Sequence, residues 1–132
     1  MIATELVTDS WDGDRNIEAV VPSPTWDQIA KAIQELDGMV RTLVTITIQE
    51  PSHMAIGGGG GNGLYVVYAT RDGERFRTAT RQIEFTKKAV VNAGGQEGEF
   101  PENRCVELAT ALTAAKSFAE SGQLDPAIKW ED

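Results

Sequence analysis

Leu43-Val44-Thr45-Ile46-Thr47-Ile48-Gln49 decides the fold class. Val44, Ile46 and Ile48 fall on one face and Thr45 and Thr47 on the other, a period of two in β-branched residues that predicts a strand with one buried side. Glu50-Pro51-Ser52 ends it, and a second strand begins over His53 to Ile56. Gly57 to Gly61 with Asn62-Gly63 reads as a loop or hairpin connection. Leu64 to Ala69 is apolar on both faces, as in a central strand. Arg71-Asp72-Gly73-Glu74 carries the Asp-Gly hairpin signal, and Arg75 to Arg81 returns as a strand. Its face of Arg75, Arg77, Ala79 and Arg81 predicts an edge strand or an uncovered sheet face. The centre of the chain is therefore an antiparallel meander.

Upstream, Ile2 to Thr8 and Ile17 to Val21 read as short strands around a turn at Asp9-Ser10-Trp11-Asp12-Gly13-Asp14. Thr25, with Gln28 three residues on, matches a capping box. It opens a helix whose stripe is Trp26, Ile29, Ala30, Ile33 and Leu36, with Gly38 as its C-terminal stop. Downstream, Ala89 to Asn92 is a strand and Cys105-Val106 a short one. A second helix runs from Leu108 to about Ser121 and stops at Gly122; Leu108, Leu112, Ala115 and Ala119 form its inner face, and Asn103 is a candidate cap. Trp130, two residues beyond Ile128, closes the core beside that helix. The expectation is one α+β domain over residues 1–132. It has an antiparallel sheet of five to seven strands, with helices at about 25–37 and 108–121 packed on one face.

The 132 residues suffice for a real core, and 41% apolar with 24% charged residues is ordinary for a soluble protein. No apolar run reaches membrane-spanning length, and the first basic residue is Arg15, unlike a signal peptide. With a single cysteine, this points to the cytoplasm. Twenty acids face 12 lysines and arginines, a net charge of −8, which disfavours direct nucleic-acid binding and favours a basic protein partner. Six of the bases lie within residues 71–88; the remainder of the chain carries 17 acids and six bases.

Several stretches mimic catalytic motifs. Gly58, Gly60 and Gly63 form a G-x-G-x-x-G, but a strand follows where a dinucleotide site needs a helix, so a flexible turn is expected. Gly94-Gly95-Gln96 matches the tripeptide that peptide-release factors place at the ribosomal catalytic centre, where the surroundings are basic. Here Glu97 and Glu99 follow, and the glycines read as a chain reversal. His53 and Cys105 are the only histidine and cysteine, too few for an N/S metal site, and Asp9, Asp12 and Asp14 lack calcium-loop spacing. No serine lies in G-x-S-x-G. No catalytic residue, metal or cofactor is expected. A small-ligand or enzymatic domain using the glycine loops and His53 is the alternative. The binding candidates are Trp11, Asp12 and Asp14 in the first turn, and Glu97, Glu99 and Glu102 in an acidic loop around Phe100-Pro101.

An ordered set of residues in the last third resembles a known family. It comprises Gly94-Gly95-Gln96, Glu99-Phe100-Pro101, Cys105-Val106, Ala114-Ala115 with Phe118 before Gly122, then Leu124, Pro126 and Trp130. With the helix from Trp26 to Leu36, the Leu43 to Ile48 strand and the glycine-rich hairpin, it is similar to the first-numbered family of immunity proteins of bacterial polymorphic toxin systems. The resemblance implies a cytoplasmic α+β inhibitor without catalytic residues. Its partner would be a cognate toxin domain, often a deaminase acting on nucleic acid, held by stoichiometric binding.

Overall fold

The computed structural model describes residues 1–84 and 87–132. In chain order the strands are β1 (Glu5–Thr8), β2 (Trp11–Asp12), β3 (Arg15–Asn16) and β4 (Ala19–Pro22). Helix α1 (Trp26–Gln34) follows, then β5 (Leu43–Gln49), β6 (Ser52–Gly58), β7 (Tyr65–Thr70), β8 (Phe76–Thr80), β9 (Lys88–Ala93) and β10 (Gln96–Pro101). A 3-10 turn (Glu102–Arg104), helix α2 (Leu108–Ser121) and β11 (Lys129–Glu131) complete the described chain. Seven strands form one antiparallel sheet in the order β11-β8-β7-β6-β5-β1-β4, while β9–β10 and β2–β3 are separate two-stranded hairpins. The fold is α+β, as the sequence predicts.

Both helices lie on one face. Ile29 and Ile33 of α1, and Ala111, Ala114, Ala115, Phe118 and Ala119 of α2, share a core with Leu6, Val44, Ile46, Met54, Ile56, Val67 and Ala79. The alanines let α2 sit close to the sheet; Phe118 is its fully buried large side chain, and Leu108 and Leu112 pack partly buried against the same core. The capping box forms as expected: Gln28 N donates to Thr25 Oγ1 at 3.2 Å, and Thr25 N donates to Gln28 Oε1 at 2.9 Å. The helix stops earlier than expected, at Gln34. The side chain of Asp37 then collects the amides of Met39, Val40 and Arg41 in a tight turn containing Gly38 (φ 72°). Helix α2 ends on Gly122 (φ 73°), whose N–H donates to Phe118 O. Its start at Glu107 has no side-chain cap, and Asn103 lies in the 3-10 turn instead.

The opposite face is partly covered by the β9–β10 hairpin. Ala89, Val91 and Phe100 pack with Val66, Tyr68 and Cys105 in a second, smaller core. Strand β7 is therefore buried on both sides, which its unbroken apolar run anticipates. Cys105-Val106 joins the sheet only as a bridge, with Val106 and Tyr65 exchanging both backbone hydrogen bonds at 2.8–2.9 Å.

Two expectations change. The arginine-bearing strand β8, expected at an edge or on an uncovered sheet face, is not an edge, because β11 pairs outside it; on its arginine face Ala79, opposite Trp130, is buried in the helix-side core while Arg77 is exposed. Its arginines are held by acceptors at the sheet margin. Arg81 Nε donates to Cys105 O at 2.7 Å, and Arg75 and Arg77 lie 3.2 and 3.5 Å from the Asp132 carboxylate. The residues 97–102 are not a loop. Glu97, Glu99 and Phe100 belong to β10, paired with Asn92, Val90 and Ala89 of β9.

Candidate functional site

Four connections meet at one corner of the sheet: the β2–β3 hairpin, the turn after α1, the glycine-rich loop between β6 and β7, and the β9–β10 turn. Asp9 holds them together. It is 5% exposed, and its carboxylate accepts from Thr42 N (2.7 Å), Leu43 N (2.9 Å), Thr42 Oγ1 and Trp11 Nε1 (2.7 Å). Thr42 Oγ1 in turn accepts from Gly95 N at 2.9 Å. A buried carboxylate surrounded by donors fixes the directions of everything it touches.

The Trp11 ring packs against Gly95. A β-carbon there would overlap the indole, and Gly94 and Gly95 both have positive φ (68° and 82°), as a two-residue hairpin turn requires. The Gly-Gly-Gln stretch is thus the chain reversal expected, with the glycines needed for the turn and for the tryptophan. The expected flexible turn at Gly57 to Gly63 is different. Gly57 and Gly58 belong to β6, and a β-carbon at Gly59 (φ 83°) would overlap the carbonyl of Leu36. Gly59 N donates to Leu64 O, and Asn62 bridges to Val90 O at 3.0 Å. The first half of the run is a fitted wall.

The structure sorts the six candidates. Trp11 is half-buried, while Asp12 and Asp14 stand exposed beside it on the β2–β3 hairpin. Glu97 and Glu99 are exposed on one face of β10, with Asn92 and Val90 as their cross-strand neighbours. Glu102 does not join them. It is half-buried on the 3-10 turn at the far end of β10, about 17 Å from Glu97 at strand spacing, and its carbonyl accepts from Arg81 Nη2. Asp9 points inward, so it makes no cation site with Asp12 and Asp14. No group of three metal-ligating side chains occurs among the described residues.

Sequence reasoning misses part of the corner. Met39 is 78% exposed, and Val40 and Val90 are exposed beside the acids, a cluster of apolar surface that no periodicity announces. Asp37 lies at its margin. Three backbone amides, Met39 first, hold its carboxyl below the ordinary aspartate value. Between the turn, the glycine wall and β9 is a cavity of about 230 Å³. Of the bases near these acids, Arg41 is paired with Glu35 at 3.2 Å, while Arg15 stands exposed on the β2–β3 hairpin, opposite Asp12 and with no ion pair among the described residues.

His53 does not reach this corner. Its Nδ1 donates to Pro51 O at 3.0 Å and its ring meets Phe76 edge-on, six residues down β6 from Gly59, or about 20 Å. Cys105 is buried against the β9–β10 hairpin with its Sγ toward Pro101 O, and burial raises its thiol pKa. The glycine loops thus contain neither of the two reactive side chains. What the corner presents is negative charge, an aromatic ring and apolar surface on a rigid frame.

No curated protein and no solved structure matches the chain. A family model does: that of immunity protein Imm1 matches residues 17–132, from just after the β2–β3 hairpin through β11. No helix among the described residues is long and apolar enough to cross a membrane. By the extent of that match, the chain belongs to the Imm1 family of immunity proteins, whose members protect against a toxin.

Proposed function

We propose that the chain neutralises a cognate secreted bacterial toxin domain by stoichiometric binding in the cytoplasm. In this reading the contact surface is the acidic corner, with Trp11, Asp12, Asp14, Glu97 and Glu99, together with the exposed Met39 and Val90. The observation that carries it is the segregation of charge. Asp12, Asp14, Asp37, Glu97 and Glu99 gather around one rigid corner, while Arg71, Arg75 and Arg77 lie at a cleft between the β7–β8 turn and the segment after α2.

A toxin acting on nucleic acid, such as the deaminases the family resemblance implies, needs a basic surface to grip phosphates. An acidic inhibitor with a fixed aromatic anchor can occupy that surface without doing chemistry. Complementary charge speeds encounter, and the desolvated anchor slows release. Co-expressing the toxin encoded next to this chain, with and without it, tests the reading. Protection together with a co-purifying complex is expected; survival unchanged by the chain, or protection without any complex, contradicts stoichiometric inhibition.

A further inference from the structure

The cavity at the acidic corner has an unusual lining. Asp37 and Glu97 supply carboxylates, and no lysine, arginine or histidine contributes among the described residues. Gly58, Gly60 and Gly61 form one wall with no side chains, so backbone and open space face inward. Apart from its chain neighbours, no described residue lies within 4 Å of where a side chain would start at Gly61, leaving that side open. Met39 and Val90 supply the apolar part and are 78% and 50% exposed.

Two further details describe what the cavity lacks, and Asn92, which lines it, is held in place by donating through Nδ2 to Gly38 O at 3.0 Å. Asp37 Oδ1 takes three backbone amides, while its other oxygen accepts nothing from the described residues. Glu97 makes no ion pair among the described residues. The deficit is one of donors and of positive charge, beside apolar surface. A long basic side chain meets both demands, with an aliphatic stem and a cationic, donor-rich end.

We propose that this cavity seats a basic side chain, arginine in preference to lysine, from the surface of the bound toxin, its stem on Met39 and Val90 and its head between Asp37 and Glu97. This rests on the immunity reading and names the contact at its centre. Arginine is favoured because a planar fork of five donors can serve two carboxylates and backbone carbonyls together, where an ammonium serves them as a point charge.

The test is titration of the isotope-labelled protein, followed by amide NMR, with Nα-acetyl-arginine amide, the lysine equivalent, and the uncharged norleucine equivalent. The expected result is saturable shifts at Gly38, Gly61, Asn62, Asn92 and Glu97 with the arginine probe, weaker ones with lysine and none with norleucine. The shifts should be lost in Glu97→Gln and reduced in Met39→Ser, yet kept in Glu120→Gln, which removes one exposed charge from α2. Equal response to norleucine, shifts centred elsewhere, or indifference to Glu97→Gln overturns the proposal. The titration contains no toxin, so its failure is told apart from failure of the immunity reading, which shows as lost protection on co-expression.

Discussion

On the helix side of the central sheet, Phe118, Ile29, Ile33, Ile46 and Met54 have no exposed surface and no side-chain hydrogen-bonding group to satisfy. On the hairpin side, at the acidic corner, the key buried side chain is an aspartate. Asp9 is nearly as enclosed as that core, but it works through four donors, and the glycines around it work through the absence of a side chain. The first kind of order is additive and tolerant: many small contacts contribute, and a similar volume can replace them. The second kind is directional. Removing one acceptor leaves several buried donors unpaired, so a corner held this way fails locally and sharply. A binding surface gains from the second kind, because its loops stay preorganised and lose little freedom when the partner arrives.

Mutations can break this contrast, beginning with the largest effect. Phe118→Ala should cost about 3–5 kcal/mol of global stability, measured by chemical denaturation, since the other fully buried side chains of α2 are alanines, too small to fill the space. Asp9→Ala should cost about 2–4 kcal/mol, with a different signature. The indole of Trp11 would be released, so its fluorescence should shift to the red and amide exchange should rise at Thr42, Leu43 and Gly95 while α2 stays protected. If α2 loses protection equally, the corner is not a separately held unit. Gly95→Ala should cost about 1–3 kcal/mol, through positive φ and overlap with Trp11. Met39→Ser and Asp12→Asn should leave stability within about 0.5 kcal/mol while weakening the complex with the toxin, which separates the surface from the frame beneath it.

The smallest effect expected is on pH dependence. Three backbone amides hold the Asp37 carboxyl below its ordinary value of 3.8, and the Ser117 hydroxyl, at 2.5 Å, does the same for Asp125, helped by the amide of Ala127. A depressed folded value means the stabilisation is complete above the ordinary aspartate range and is lost as pH falls through the folded value. Asp37 is exposed and Asp125 only half-buried, so the gain is modest. Asp125→Asn should flatten the acid limb of a Tm-against-pH curve and leave the neutral plateau nearly unchanged; an unaltered acid limb would show that this bond does not contribute.

The same contrast explains what the sequence makes legible. Strand β5 matches Leu43–Gln49 at both ends, because alternation of β-branched residues is a direct image of burial. The second helix ends where Gly122 says it must. By contrast, β10 is hidden: Glu97, Gly98 and Glu99 have poor strand propensity, and their strand is imposed by pairing with β9 and by Phe100 packing inward. Asp9 is indistinguishable in sequence from Asp12 and Asp14, since its role depends on Thr42 and Leu43, more than thirty positions away. Trp11, Asp12, Asp14, Glu97 and Glu99 are readable as exposed charge and an aromatic in turn-rich stretches. That the two sets adjoin through Trp11 and Gly95, and that Glu102 stands apart, follows only from the register of two hairpins. Met39 and Val90 look like ordinary apolar residues until their neighbours are known.

The acidic corner is the face proposed to hold the toxin. The most direct measurement is calorimetric titration of the toxin domain with the wild-type chain and with a variant carrying Asp12→Lys, Glu97→Lys and Glu99→Lys, at low and at physiological salt. The account predicts one-to-one binding by the wild type that weakens as salt rises. It predicts a loss on the order of 100-fold or more in the variant at low salt, with the fold shown intact by its unchanged far-ultraviolet dichroism. Equal affinity of the two proteins, with the same salt dependence, would contradict it.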